Sequence, residues 1–154
     1  MKQILILRGL PYSGKTTWAN KVKQKEGKAI AIFDVDEARL ELADIGDKIA
    51  ERWDIVLKQL EGIILGNNNI IIDGTNILSS SYRRILETIT RIANDTEESY
   101  MLSIKDFKTP VWICEERAKS SNDEVALRKI KFLYDHCLRR KTIYRDEKNS
   151  KANL

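Results

Sequence analysis

The feature that most constrains the fold is a glycine-rich stretch close to the start of the sequence. Residues 9–16 read GLPYSGKT and follow directly on the aliphatic run ILIL and Arg8. A buried strand, a loop of the form G-x-x-x-x-G-K-T and a helix together make a site in which backbone N–H groups converge on a phosphate. The sequence therefore predicts a nucleoside triphosphate site behind a buried first strand.

The residues expected to hold the triphosphate lie in this loop or directly after it. Lys15 is placed to reach the β- and γ-phosphates, and the Thr16 hydroxyl is placed to ligate magnesium. Glycine at both ends of the loop permits backbone angles and close approaches that a side chain would block. With ATP and Mg²⁺ as the ligands, the predicted binding set is Gly9, Pro11, Ser13, Gly14, Lys15, Thr16 and Thr17.

Short aliphatic runs alternate with stretches of helical periodicity along the chain. Strands are expected at residues 3–8, 29–33 and 69–73, with a weaker one at 99–104. Apolar residues recur at helical spacing between them, at Ile49, Trp53, Val56, Leu57, Leu60, Ile63 and Ile64, and again at Ile85, Leu86, Ile89 and Ile92. Continuous aliphatic strands separated by amphipathic helices predict an α/β fold, with a central parallel sheet of about four strands and helices on both faces.

Length and composition indicate one globular domain over residues 1–154. No apolar run approaches the roughly 18 residues of a membrane span, and the first run is too short for a signal peptide, so a cytoplasmic protein with no membrane partner is expected. The net charge of +4 resides in a basic C-terminal tail, residues 139–154, which carries six basic and two acidic residues. Such a tail is either a solvated end or a weak attractor of a polyanion such as nucleic acid.

Two further motifs follow strands and are expected at the same edge of the sheet as the loop. In IFDVDEAR, residues 32–39, Asp36 and Arg39 are three apart and so lie on one face of a helical turn. A carboxylate there can accept a proton from an attacking hydroxyl, and an arginine can steady the acceptor or a phosphate. A helix start with acidic residues near its N-terminus would give the same pattern without a catalytic role.

The second motif is IIIDGTN, residues 70–76. Asp73 is a candidate either to hold a magnesium-bound water or to orient Arg39, and Thr75 and Asn76 are candidates to line the acceptor pocket. The same four residues DGTN would also make a good turn and helix cap.

Residues 113–129, ICEERAKSSNDEVALRK, occupy the place where small kinases carry a lid over the triphosphate. The cations available there to neutralise charge on a transferred phosphoryl group are Arg117, Lys119 and Arg128. A solvated helix face would explain them as well.

Several function classes fit the loop less well than a small kinase. The chain has no N-K-x-D motif for a guanine base, and ATPase motors are usually longer. The D-x-D of residues 34–36 resembles that of haloacid-dehalogenase phosphatases, which would make Asp34 a nucleophile, but that motif belongs on a first strand and the first strand here precedes the loop.

The chain resembles the phage-type 5′-polynucleotide kinase domain in four segments. These are residues 4–19, the D-x-x-R of Asp36 and Arg39, the motif IIIDGTN and the segment around Arg117. That family falls within the P-loop kinases, which include the zeta-toxin-like kinases. The resemblance covers nearly the whole chain in order and spacing. It implies a P-loop kinase fold with the loop strand central in the sheet, a helical lid, and homo-oligomers as one possible assembly.

The resemblance also implies an activity, the transfer of the ATP γ-phosphate to the 5′-hydroxyl end of DNA or RNA. It implies that Asp36 is the general base, that Arg39 acts on the acceptor side and that Arg117 is a lid arginine. At the place of the family's second lid arginine the chain has Ser121, for which Lys119 or Arg128 would have to substitute. Gly74 separates Asp73 from the Thr-Asn pair, whereas the family's acid also occurs directly before it.

Two other functions stay open on the sequence alone. One is a small-molecule kinase, including a toxin-like kinase that acts on a nucleotide sugar. The other is a non-catalytic, ATP-dependent nucleic-acid-binding module, in which ATP only orders the lid and the basic tail holds the nucleic acid.

Overall fold

The computed structural model describes residues 1–42 and 49–138. The basic tail predicted at 139–154 lies outside the described residues. The elements are, in chain order, β1 (Lys2–Arg8), α1 (Lys15–Glu26), β2 (Ile30–Asp34), α2 (Val35–Glu41), α3 (Ile49–Gly66), β3 (Asn69–Asp73), α4 (Ser79–Thr96), β4 (Tyr100–Asp106), α5 (Val111–Ser120) and α6 (Glu124–Leu133). A short 3₁₀ turn (Gly27–Ala29) precedes β2, and a π-helical turn (Tyr134–Leu138) follows α6.

The four strands form one parallel sheet in the order β2-β3-β1-β4. Strand β1 lies inside the sheet, where Ile4 is in register with Ile70 of β3 on one side and with Leu102 of β4 on the other. Parallel strands need crossover connections, and helices supply them here. The predicted α/β fold with a parallel sheet of four strands is confirmed, and so is the interior position of the strand before the loop.

Each face of the sheet packs against helices, as the periodicity predicts. Alternate residues of a strand point to opposite faces, so Ile4 and Ile6 contribute to the core on one face and Leu7 to the core on the other. The first core also takes apolar residues from α3 and α4, including the predicted stripe residues Trp53, Val56, Leu60, Ile64, Ile85, Ile89 and Ile92. The second core contains Ala19 of α1.

A third cluster joins the glycine-rich loop to α5 and α6. Its buried members are Leu10 of the loop and Val111, Cys114, Ala118, Ala126, Ile130, Leu133 and Leu138. Burial raises the pKa of the Cys114 thiol to about 11, so this cysteine stays protonated near neutral pH and serves as an apolar filler. The two helices are therefore packed onto the loop by an apolar core of their own.

No helix in the described part of the chain is both long and apolar enough to cross a membrane.

Lys2 fastens the start of β1 to the end of α3. Its buried ammonium donates to the carbonyl oxygens of Ile64 at 2.7 Å and Asn67 at 2.8 Å, which lie at the C-terminus of α3. Cations are favoured there because the last carbonyl groups of a helix lack intrahelical partners.

We expect Lys2→Met to lower the free energy of unfolding by about 1–3 kcal/mol, because buried carbonyl groups lose a charged donor. Denaturant unfolding of the variant measures this loss. Lys58→Met, at an exposed position on α3, is the control and should change stability by no more than about 0.5 kcal/mol. Equal stability of the two variants would contradict the proposed capping role of Lys2.

Candidate active site

The loop of residues 9–16 has the geometry of a phosphate-binding loop. A side chain at Gly9 would meet the Ser13 hydroxyl oxygen at 2.8 Å and Phe107 Cβ at 2.9 Å, so only glycine fits there. Gly14 adopts φ 98° at the N-terminus of α1, a left-handed conformation that glycine adopts without strain. Pro11 is half-buried and Thr17 is exposed in the first turn of α1. Helix α1 thus begins directly after the loop, as the motif predicts.

Lys15 is buried inside the loop. Its ammonium donates to the carbonyl oxygens of Gly9 at 2.9 Å and Leu10 at 2.7 Å, and to the Ser13 hydroxyl at 3.2 Å. Burial lowers the pKa of Lys15, while the nearby carboxylates of Asp73 and Asp36 counter that effect. The ammonium is therefore held at the centre of the loop in the field of both acidic motifs.

Thr16 and Asp73, the two residues predicted to hold magnesium, contact each other. The Thr16 hydroxyl donates to Asp73 Oδ2 at 2.7 Å, and Asp73 Oδ1 accepts from the Gly74 N–H at 2.8 Å. Oxygen donors of this kind suit Mg²⁺, which usually takes one or two protein ligands and completes its shell with water and substrate phosphates. No cluster of three or more potential metal-ligating side chains occurs in residues 1–42 and 49–138. Asp73 thus contacts Thr16 and Gly74, and both of its predicted roles, holding a magnesium-bound water and orienting Arg39, stay predictions.

Asp36 lies in the first turn of α2, at the edge of the sheet where β2 and β3 end. Its Oδ2 accepts from the Thr75 N–H at 2.8 Å, and its Oδ1 lies 3.4 Å from the Lys129 ammonium of α6. The Thr75 carbonyl in turn accepts from the Gly9 N–H at 3.1 Å. One residue of the DGTN turn therefore connects the candidate base to the phosphate-binding loop.

Arg39 and Arg84 share an aromatic partner. The guanidinium carbon of Arg39 lies 4.7 Å from the centre of the Trp53 ring and that of Arg84 lies 5.4 Å from it. Trp53 is 3% exposed, so its ring is a fixed platform in the core. Trp53, which the sequence places in the core, thus also orients two arginines, of which Arg39 is the residue predicted to act on the acceptor.

The two remaining acceptor-pocket candidates, Thr75 and Asn76, are buried at 8% and 4% exposure. The Asn76 amide donates to the Leu7 carbonyl at 2.8 Å, and its backbone adopts φ 50°, which asparagine tolerates better than most residues. These contacts give Asn76 a turn-forming role, as the alternative interpretation of DGTN proposes. Thr75 acts through its backbone.

Helices α5 and α6 pack against the loop and are hydrogen-bonded to it through Tyr12. The Tyr12 carbonyl accepts from the Arg117 guanidinium at 2.9 Å, and the Tyr12 hydroxyl donates to Asp123 Oδ2 at 3.0 Å. Arg117 is thus placed beside the loop, as the resemblance to polynucleotide kinases implies. Lys119 and Ser121 are exposed at the far end of α5.

A cation of α6 that the sequence did not single out, Lys129, contacts an acidic motif through its ion pair with Asp36. Arg128, predicted to substitute for the arginine absent at Ser121, is exposed. Lys129 is half-buried and pairs with Asp36. The available signal was helical spacing, because Lys129 lies three residues after Ala126 and next to Ile130, both buried. That spacing puts Lys129 at the border of the buried face of α6.

Asp34 caps α2 and carries a cost in stability. Its Oδ1 accepts from the Glu37 N–H at 3.0 Å. Desolvation is the main cause that raises the pKa of Asp34, the capping bond opposes it, and the charges of Asp73 and Asp36 add to the rise. An acid whose pKa is higher in the folded state destabilises the protein once it is ionised, so this cost grows as pH rises through the folded-state pKa.

We expect Asp34→Asn to raise the free energy of unfolding at pH 7 by about 0.5–1 kcal/mol, since asparagine caps a helix as well as aspartate and carries no charge. The gain should shrink as the pH falls below about 4, where aspartate becomes protonated in the unfolded chain as well as in the folded protein. Thermal unfolding of both proteins at pH 7 and pH 3.5 measures the difference. A stabilisation that is equal at the two pH values would contradict this explanation.

No family model and no curated protein matches the chain. Solved structures do. A chain of a Pnkp1/Rnl/Hen1 complex is similar over 75% of this chain and 38% of that one, with 25% identity and a TM-score of 0.57. A chain of the Pnkp1/Rnl/Hen1 RNA repair complex is similar over 87% of this chain and 45% of that one, with 22% identity and a TM-score of 0.57. The chain thus spans less than half the length of these two chains.

The Mycobacterium tuberculosis APS kinase CysC, in a structure with AMPPNP and APS, is similar over 79% of this chain and 70% of that one, with 22% identity and a TM-score of 0.52. The four-stranded parallel sheet in the order β2-β3-β1-β4 and its helices match the structures of P-loop kinases. The chain therefore has a P-loop kinase fold and resembles P-loop phosphotransferases.

Proposed function

We propose that this chain is an ATP-dependent polynucleotide kinase that transfers the γ-phosphate of ATP to the 5′-hydroxyl end of DNA or RNA. The observation that carries the proposal is the link through Thr75, whose carbonyl binds Gly9 of the phosphate-binding loop and whose N–H binds Asp36. This link supports the proposal because it connects the carboxylate of Asp36 to the loop that would hold the γ-phosphate. The likeness to chains of an RNA repair complex supports a polynucleotide as the acceptor.

In the proposed reaction, the acceptor's 5′-oxygen attacks the γ-phosphorus in line and forms the new O–P bond. The bond from the γ-phosphorus to the bridging oxygen breaks, and ADP leaves with that electron pair. Asp36 takes the proton of the hydroxyl on a carboxylate oxygen. Positioning and neutralisation of phosphoryl charge supply most of the acceleration in this type of transfer.

The cations around the site would supply that neutralisation. Lys15 lies in the loop, and Arg117 is held beside the loop through the Tyr12 carbonyl. Mg²⁺, which Thr16 and Asp73 would hold, supplies further neutralisation of phosphate charge. On the acceptor side, Arg39 and Arg84, which both lie on the Trp53 ring, would bind an anionic group such as the phosphodiester next to the 5′-hydroxyl.

A small-molecule kinase is the second candidate, because APS kinase shares this fold. An acceptor panel separates the two. Purified protein, Mg²⁺ and γ-labelled ATP are incubated with a 5′-hydroxyl oligonucleotide, with adenosine 3′-monophosphate or with adenosine 5′-phosphosulfate. Label on the oligonucleotide at a higher kcat/KM than on the others supports the proposal. Preferential label on a small molecule supports the second candidate, and salt-sensitive oligonucleotide binding without transfer supports a binding module.

A further inference from the structure

Helix α6 presents a cation to the candidate base, and no motif accounts for it. The Lys129 ammonium lies 3.4 Å from Asp36 Oδ1, while Asp36 Oδ2 is engaged by the Thr75 N–H. The side chains of Lys129 and Asp36 are 39% and 31% exposed, so both face the open edge of the site. Lys129 therefore pairs with the one carboxylate oxygen of Asp36 that Thr75 does not hold.

The position of Lys129 is fixed by the loop itself. Asp123 caps α6 by accepting from the Ala126 N–H at 3.0 Å, and its other oxygen accepts from the Tyr12 hydroxyl in the loop. Ala126 and Ile130 are buried in one apolar cluster with Leu10, also a loop residue. One residue away from Ile130, Lys129 is carried on a helix that is anchored to the phosphate-binding loop at two points.

Lys129 also shares the electrostatic environment of Lys15. Its positive charge contributes to the lowered pKa of Lys15, against the opposing effect of Asp36 and Asp73. Two ammonium groups and two carboxylates therefore act on one another around the loop. A nucleoside triphosphate bound there would add several negative charges and would compete with Asp36 for the Lys129 ammonium.

We propose that Lys129 is the second lid cation. When a triphosphate is bound, the Lys129 ammonium breaks its pair with Asp36 and binds the γ-phosphate instead. This inference rests on the proposed function, because it assigns Lys129 to the same transfer. Lys129, on α6, would take the place of the arginine that is absent at Ser121, directly after α5. The exchange also frees Asp36 Oδ1 for the acceptor's hydroxyl, so that the base becomes available only after the phosphate donor has bound.

The test compares the affinities for ATP and ADP, which differ by the γ-phosphate. Calorimetric titrations with Mg²⁺ are made on the wild-type chain and on Lys129→Met, Lys129→Arg and Arg128→Met. We expect Lys129→Met to weaken ATP binding by roughly 10- to 100-fold, the usual range for a hydrogen bond to a charged group, and to leave ADP binding within about threefold. ADP binding also shows that the variant is folded.

The matched variants sharpen the result. Lys129→Arg keeps the charge and should retain ATP affinity within about fivefold, while Arg128→Met, at the exposed neighbouring position, should change neither affinity. Unchanged ATP binding in Lys129→Met, or an equal loss of ATP and ADP binding, would overturn the proposal. Because the assay needs no acceptor, its result does not depend on whether the acceptor is a polynucleotide.

A double-mutant cycle tests the exchange of partners. If Lys129 leaves Asp36 for the phosphate, Asp36→Asn has two effects in the wild-type background: it removes the group that competes with the γ-phosphate for Lys129, and it removes a negative charge that repels the phosphate. In the Lys129→Met background, Asp36→Asn removes only the repelling charge. Asp36→Asn should then tighten ATP binding by about two- to fivefold more in the wild-type background. An equal or larger gain in the Lys129→Met background would contradict the exchange.

Discussion

Replacing Asp36 with asparagine is expected to lower the rate of phosphoryl transfer by roughly 10²- to 10⁴-fold, the usual contribution of a general base. Asparagine keeps the shape of the side chain and an oxygen that can accept from the Thr75 N–H. It has no carboxylate to take the proton of the attacking hydroxyl. The variant should still bind ATP, and single-turnover transfer with saturating Mg²⁺ and ATP measures the loss.

Asp34→Asn is the matched control for this experiment. Asp34 lies two residues before Asp36 and caps α2 through the Glu37 N–H, so Asp34→Asn removes a neighbouring carboxylate charge but leaves the hydrogen bond between Asp36 and Thr75 in place. It should transfer phosphate within about threefold of the wild-type rate, a change of less than 1 kcal/mol in the barrier. Wild-type transfer by Asp36→Asn would remove Asp36 from the role of base. Loss of transfer in Asp34→Asn alone would make Asp34, rather than Asp36, the carboxylate on which transfer depends.

The second large effect is expected at Lys15. Lys15→Met keeps the length and apolar stem of the side chain but removes the ammonium at the centre of the loop. We expect at least a 10³-fold loss of transfer, since phosphoryl transfer depends mainly on neutralised charge, together with weaker binding of ATP. Steady-state kinetics and titration with a fluorescent ATP analogue measure the two losses.

Lys21→Met provides the control for Lys15. Lys21 is an exposed residue of the same helix, α1, so its replacement changes the net charge equally and leaves the loop intact. Transfer by this variant should stay within about threefold of wild type. A similar loss in both variants would show that overall charge, rather than the loop ammonium, governs the rate.

The sheet and the loop could be predicted because their determinants are local. The aliphatic runs at β1 and β3 mark strands buried on both faces, and the predicted ends lie within one or two residues of the observed ends. The parallel topology then brings Asp36, Asp73 and the loop to one edge, since the carboxyl ends of parallel strands meet there. The contact of Thr16 with Asp73 follows from that arrangement.

The partners of Asp36 and Arg39 could not be predicted in the same way. Their spacing puts both on one face of a helical turn, but it does not tell which distant residues approach that face. Arg39 lies on Trp53 of α3, and Asp36 pairs with Lys129 of α6, more than 90 positions away. These contacts depend on how α3 and α6 pack, and cation–π and ion-pair partners leave no periodic trace in the sequence.

The most direct test of the central claim compares two oligonucleotides that differ at one position. Both have the same single-stranded sequence, one with a 5′-hydroxyl and the other with a 5′-phosphate, and each is incubated with the protein, Mg²⁺ and γ-labelled ATP. We expect label on the first oligonucleotide and none on the second. Equal label on both, or label on neither while ATP is bound, would contradict transfer to a 5′-hydroxyl end.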